Sequence, residues 1–526
     1  MTDGNATAYL VLLAYLALLL AIGVVAARRI HSISDYYVAG GRLGYWVAAF
    51  SARATGESGW LLLGLTGLGA MAGLSAMWVV VGEVLGVAIA WFLMAGPFRR
   101  ATDRAGALTI PDYLAARHGS GDKGSDTRGA AIRVVAALAI AIFVTVYISA
   151  QIDATGKAFE SFLDIDYYTG VLIGFGIVVF YTCFGGFFAV AWSDLLQGTL
   201  MLAGLVILPI AAWAAAPGLG SILAGLNAAD PALLSIWGAP GFSVAGVLIA
   251  ISYVAIGLGF LGSPQIFVRF IAIRDQAEID KGRWVAVAFT VLTTCGAVLS
   301  GMFGRYLLVG PEVVAETVLG PGLEMLLPVL VGQVLPAAVA ALFIAVVLAA
   351  IMSTVDSLLV VASSALTRDL YQQLLHPAVT PERITRLSRI VTLLLAFTAL
   401  AIALAVAWLV PGRTVFWFAI FGWSGIAATF CPAIVLSLFW PAYGFAGAIV
   451  SMLTGFISIP LFKFLVPGLG EWGRTVALAG ELAPAFLISL AAGALVTFLA
   501  AAPAPGSAAC PVSTARPGGR SPRWDR

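Results

Sequence analysis

Apolar residues run along this chain in long blocks separated by short polar stretches. Blocks of about 18 residues or more, enough for a helix to cross a bilayer, fall near 7–27, 45–75, 76–96, 130–159, 166–184, 187–215, 243–269, 283–308, 334–366, 387–410, 414–439, 442–466 and 483–502. The pattern predicts an all-α polytopic membrane protein with about thirteen transmembrane helices. The run 323–335 predicts a further short helix ahead of the ninth block. Residues 1–502 read as a single transmembrane domain, and 503–526, rich in Pro, Gly, Ser and Arg, as a disordered cytoplasmic tail.

Composition agrees and excludes a water-soluble fold. Of 526 residues, 61% are hydrophobic and 10% charged, against about 45–50% and about 25% in ordinary globular chains. The first block, Ala8 to Ala27, has no basic residue before it and Arg28 and Arg29 after it, the reverse of a secretion signal. With the N-terminus outside, pairs such as Arg99 and Arg100, and Arg274 and Lys281, fall on the cytoplasmic side together with the tail arginines. The opposite loops keep little more than Arg413, Lys463 and Arg474, so the rule of positive charge inside places the chain in the plasma membrane with a cytoplasmic C-terminus.

A net charge of +2 with scattered basic residues gives no nucleic-acid surface. No GxxxxGK[ST] phosphate loop is present, so nucleotide-driven pumping is excluded. The four cysteines are far apart and the three histidines lie in polar loops, a poor basis for a thiolate metal site, metal catalysis or any intramembrane enzyme. No organic cofactor is called for.

Two blocks are interrupted at comparable depth. Ser51 to Trp60 (SARATGESGW) gathers poor helix formers in mid-run, and five blocks later Gly257 to Pro264 (GLGFLGSP) does the same. A GxGxxG spacing occurs inside the second of these, with no strand before it, and acts as a helix breaker rather than a dinucleotide fingerprint. Paired interruptions in corresponding halves point to an inverted-repeat secondary transporter. Ionisable residues within spans reinforce this: Arg53, Glu57, Glu83, Asp153, Lys157, Asp194 and Asp356 must line an interior or pair with one another, because each costs about 2.5–3.5 kcal/mol facing lipid. Arg53 with Glu57, and Asp153 with Lys157, stand four apart on one helical face, the spacing of a local ion pair as well as of a coupling site. Ser353 and Thr354 set adjacent hydroxyls in an apolar block, either bonded back to the helix or ligating a small hard cation.

These segments, with YYVAGGRLG (Tyr36 to Gly44), SGWLLLGL (Ser58 to Leu65), LTIPDYLAARHG (Leu108 to Gly119), FGGFFAVAWSDLLQG (Phe184 to Gly198), SPQIFVRF (Ser263 to Phe270) and MSTVDSLLVVASSALTRDLY (Met352 to Tyr371), resemble the sodium/solute symporter family over nearly the whole chain, most closely its bacterial proline carriers. The resemblance implies a LeuT-type core of segments 2–6 and 7–11, with sodium ion as the co-transported species. It also implies a sodium site of the Ala54, Glu57 and Ala350 carbonyls and the Ser353 and Thr354 hydroxyls, and an ion pathway through Asp194. Substrate positions match at Ser58, Gly59, Trp60, Tyr147 and Pro264, whereas a tryptophan and a tyrosine of the proline carriers become Ile256 and Phe260. Gly56 stands where those carriers have an aspartate, and Glu57 where they have an apolar residue.

The implied function is sodium-coupled symport of a small organic solute, proline or another amino acid. One alternative is a proton-coupled or sodium-independent carrier of the same fold that uses Glu57 or Asp153. A non-transporting membrane sensor is the alternative from another class.

Overall fold

The computed structural model describes residues 3–28, 33–119 and 126–501. The tail 503–526, with His31, Lys123 and Cys510, lies outside them. The described residues are helical apart from short connections and one isolated bridge. Eleven of their helices are long and apolar enough to span a bilayer. The difference from thirteen blocks arises at the interruptions. The second block divides into the 12-residue helix α2 (Tyr45–Gly56) and a stretch running without a long break into the third block, while Tyr167–Val179 is short of a full span. The run 323–335 does form a helix, Leu326–Val334.

The elements that build the core follow α1 (Asp3–Ala27) and α2 in order. They are α3 (Thr66–Ala72, entered through the π-helical Trp60–Leu65), α4 (Met77–Ile89), α5 (Ile110–His118), α6 (Thr127–Leu163) and α7 (Tyr167–Ala215). The second half comprises α8 (Val244–Ala255), α9 (Pro264–Ala272), α10 (Gln276–Leu308), α11 (Ala337–Ser364), α12 (Pro381–Leu409) and α13 (Val415–Phe439). Helix α7 bends at Gly186, whose φ of +54° suits a residue without a side chain.

Both interruptions form where expected. Helix α2 stops at Gly56, and Glu57 leaves helical geometry at φ −101°, ψ 78°. Helix α8 runs into a 3-10 turn, Ile256–Leu261, then Gly262 at φ 160°, and Pro264 opens α9 as its first residue, where the missing N–H is no loss. The start of α2 and the end of α9 are tied by a two-bond bridge: the Leu43 N–H donates to Ala272 O at 3.0 Å and the Arg274 N–H to Leu43 O at 2.9 Å. Helices α7, α10 and α11 pack around α2, and α6 lies against α11 and α13. Glycines bring α4 onto the second interruption: a Cβ on Gly86 would run into the Gly257 carbonyl, and one on Gly257 into that of Gly82. Glu83, between those two glycines, is thereby held against the break.

Candidate functional site

The middle of α11 meets the C-terminal end of α2, and there the hydroxyls of Ser353 and Thr354 reach the α2 backbone. Ser353 Oγ lies 3.0 Å from both Ala54 O and Ala350 O. Thr354 Oγ1 lies 3.1 Å from Thr55 O and 3.2 Å from Ala350 O. Five oxygens thus converge in a fully buried place, the donor set a hard cation takes. Ala54, Ala350, Ser353 and Thr354 come together as the resemblance implies, and Glu57 caps α2 one turn on. The carbonyl of Thr55 is an addition that no side-chain motif signals.

Thr55 also belongs to a second buried group. Arg269 on α9 donates from Nη2 to Thr55 Oγ1 at 2.7 Å, to Ser357 Oγ at 2.5 Å and to Asp194 Oδ2 at 3.0 Å, and from Nε to Ser51 Oγ at 3.0 Å. Ser51 Oγ donates in turn to Asp194 Oδ2 at 2.5 Å, and Asp356 lies close enough for its charge to act on Arg269. Asp194 is therefore anchored to an arginine rather than standing alone on a pathway. The sequence reading passed over Arg269, although it lies in SPQIFVRF near a span end, where arginine ordinarily reaches for water. Here it is 0% exposed.

Arg53, facing away from that group, forms a third. It pairs with Glu57 on its own helix and, at 3.3 Å, with Glu83 on α4. Its guanidinium lies 4.6 Å from the Phe260 ring centre. All three charged side chains are buried, and Glu57 Oε2 and Glu83 Oε1 have no hydrogen-bond partner. The expected i, i+4 pair exists, but the third member makes it a cluster of one cation and two carboxylates.

The expected substrate residues assemble beside these groups. Ser58 Oγ and Tyr147 Oη are 3.2 Å apart, the Gly59 N–H donates to Gln151 Oε1 at 3.0 Å, and the Trp60 indole donates to Gly56 O at 3.3 Å. Ile256 and Phe260 join through Trp423 of α13, whose indole N–H donates to Ile256 O at 2.9 Å and whose ring lies 5.0 Å from that of Phe260 and 6.3 Å from that of Tyr147. Trp423 presses on Gly259, so an indole from another helix fills the space beside Ile256 and Phe260. Pro264 stands apart, in a small cleft with Tyr37, Thr109 and Val361. Gln151 and Trp423 were not anticipated, because amphipathic or amide residues on separate helices carry no spacing signal.

Asp153 and Lys157 do not chiefly serve each other. Asp153 binds Arg413 at 2.5 Å and accepts from Tyr167 Oη at 2.6 Å, while Lys157 is 3.8 Å from Asp153 and 2.9 Å from Glu324. Glu324 also accepts from the Phe416 N–H at 3.1 Å. The i, i+4 pair is one contact of a latch joining α6 to the loops that precede α11 and α13.

Comparison with known proteins agrees with this architecture. Residues 36–455 match the model of the sodium:solute symporter family. The chain is 34% identical over 493 residues to the high-affinity proline transporter of Bacillus subtilis, covering 92% of this chain and 96% of that one. It is 31% identical over 491 residues to the sodium/proline symporter of Haemophilus influenzae, covering 93% and 94%. A substrate-bound, outward-open Na+-coupled sialic acid symporter superposes with a TM-score of 0.74 at 20% identity, covering 94% and 97%, which establishes the fold. With two interrupted helices, a LeuT-type helical core and a family match over most of its length, the chain belongs to the sodium:solute symporter family.

Proposed function

We propose that this protein drives uptake of proline or a related amino acid across the plasma membrane with sodium, its N-terminus outside and its C-terminus in the cytoplasm. The observation that carries the sodium assignment is the set of five oxygens between α2 and α11. Ala54, Ala350, Ser353 and Thr354 would ligate the ion, with Thr55 or Glu57 completing the shell through a backbone carbonyl. Gly56 removes a carboxylate from the neighbourhood but none of those ligands. The solute would lie against Ser58, Gly59, Trp60, Tyr147, Ile256 and Phe260, and the proline relatives favour proline as its identity. Asp194, held by Arg269 and hydrogen-bonded to Ser51, supports ion passage by keeping a negative charge next to Thr55. The latch of Asp153, Lys157, Glu324 and Arg413 would close the outer side.

The test is uptake of labelled L-proline into proteoliposomes under an imposed sodium gradient, compared with choline at constant pH and membrane potential. Sodium-dependent accumulation that is lost in choline is expected. Equal uptake in both media would transfer the role of the ion to Arg53 or to a proton.

A further inference from the structure

One side chain beside the first interruption holds its own position and still has a donor to give. Tyr147 and Gln151 stand one turn apart on α6 and meet successive residues of the break. Tyr147 Oη lies 3.2 Å from Ser58 Oγ, and Gln151 Oε1 accepts from the Gly59 N–H at 3.0 Å. That bond fixes which way round the amide lies, because its NH2 end cannot take a place against another N–H. The Gln151 NH2 therefore points away from Gly59. It has no hydrogen-bond partner, in a residue that is 0% exposed.

The surroundings supply no acceptor for it. A Cβ on Gly59 would meet Ile351 Cγ1 at 3.0 Å, Ala154 Cβ at 3.2 Å and Gln151 Oε1 at 3.2 Å, so the amide lies between apolar walls. The polar groups nearby are donors or are already engaged. The Thr155 hydroxyl donates to the Gln151 backbone carbonyl, the Trp60 indole takes up Gly56 O, and the Trp423 indole takes up Ile256 O. The Ser58 and Tyr147 hydroxyls have two hydrogens between them and share one bond. Donors thus outnumber acceptors here. A buried NH2 without an acceptor is costly, and it is satisfied when a bound molecule brings an oxygen.

We propose that Gln151 is a specificity residue: held by Gly59, its NH2 donates to a carboxylate oxygen of the solute. The inference rests on the amino-acid reading above and sharpens it, since it names the end of the solute that meets α6. The bond is a hydrogen bond only, and no proton changes hands. A neutral amide makes it without adding a buried cation that would itself need a partner.

The test is Gln151→Glu, which keeps an oxygen for the Gly59 N–H but puts an acceptor where the donor was. Calorimetric titration of the purified full-length protein in sodium reads Kd for L-proline and for L-prolinamide, in which an amide able to donate replaces the carboxylate. The ratio of the prolinamide Kd to the proline Kd should fall about tenfold or more in the variant. An unchanged ratio would overturn the proposal, because a residue that merely caps Gly59 does so equally well as glutamate. Should the glutamate variant not fold, wild-type protein labelled with 15N-glutamine carries the test. The side-chain NH2 signal that is missing from Gln151→Met should move downfield when L-proline and sodium are added, and a signal that stays in place overturns the proposal. Wild-type protein that binds neither L-proline nor any other amino acid removes the amino-acid reading and this inference together. Binding with an unchanged ratio removes this inference alone.

Discussion

Two buried arginines, Arg53 on α2 and Arg269 on α9, meet the same arithmetic with different chemistry. Arg269 and Arg53 each face two carboxylates, Asp194 and Asp356 in one case, Glu57 and Glu83 in the other. Around Arg269 stand three hydroxyls, of Ser51, Thr55 and Ser357, and Thr55 is shared with the oxygen set of Ser353 and Thr354. Around Arg53 stand an aromatic ring and close-packed glycines. The first group is held by hydroxyls that link it to the oxygen set, and the second by an aromatic face and the close contact of α4 with the helix break.

The comparison breaks most easily at Arg269. Replacing it with Gln strands Asp194 among groups that expect a guanidinium, and the unfolding temperature in detergent should fall by the equivalent of about 3–5 kcal/mol. Arg53→Gln should cost less, because Arg53 holds two carboxylates whereas Arg269 holds a carboxylate and three hydroxyls. Equal losses in the two variants would erase the distinction between the sites.

A sharper cut is the double change Arg53→Gln with Glu57→Gln. For an isolated pair it would be nearly neutral, but Glu83 remains. The double variant should therefore be less stable than the triple variant that also carries Glu83→Gln, because it keeps a buried carboxylate without its guanidinium. Thermal unfolding in detergent compares the two, and equal melting temperatures would show that Glu83 does not belong to the Arg53 cluster.

On the other side of the comparison, Ser353→Ala or Thr354→Ala removes one oxygen of five. A lost hydrogen-bonding partner of about 1–2 kcal/mol corresponds to roughly a tenfold higher sodium requirement. The sodium dependence of proline uptake measures it, and an unchanged requirement in both variants would exclude these hydroxyls as ligands.

The smallest effect is a titration outside the spans. His118, at the end of α5, is bonded to Ser437 at 2.7 Å. Burial, with a lesser contribution from Arg117 and some opposition from a Tyr443 hydrogen bond, lowers its pKa to about 4. The unfolded chain then binds more protons than the native one between that value and the free value. Stability from this group is present above about pH 6.5 and declines as the pH falls toward 4, by about 1 kcal/mol at pH 6. His118→Gln should flatten that part of the stability profile, as thermal unfolding between about pH 4 and about pH 7 will read.

Much of this could be read from the sequence where the signal is local. The two interruptions are written in Gly, Ser and Pro, and the Arg53–Glu57 spacing is visible on a helical wheel. What escaped is what only tertiary packing creates. Glu83 finds its partner 30 residues back, Asp153 prefers Arg413 over its neighbour Lys157, and Trp423 packs on Phe260 from a different helix. Arg269 was missed for a subtler reason: near a span end an arginine normally needs no explanation, and only its complete burial shows that it has one. The bend at Gly186 likewise gave no warning, since a glycine in an apolar run usually serves close packing.

The bridge between Leu43 and the end of α9 has a mechanical consequence. It pins one end of α2, while the other end, at Gly56, is cut loose from the helix that follows. A rod of 12 residues at 1.5 Å each is roughly 18 Å long, so a tilt of about 10° about the pinned end displaces the free end by about 3 Å. That is a full hydrogen-bond length at Ala54 and Thr55, and very little at Tyr45. A small rotation at one membrane face is thus geared into making or breaking the whole oxygen set at the centre, and Glu57 travels with it.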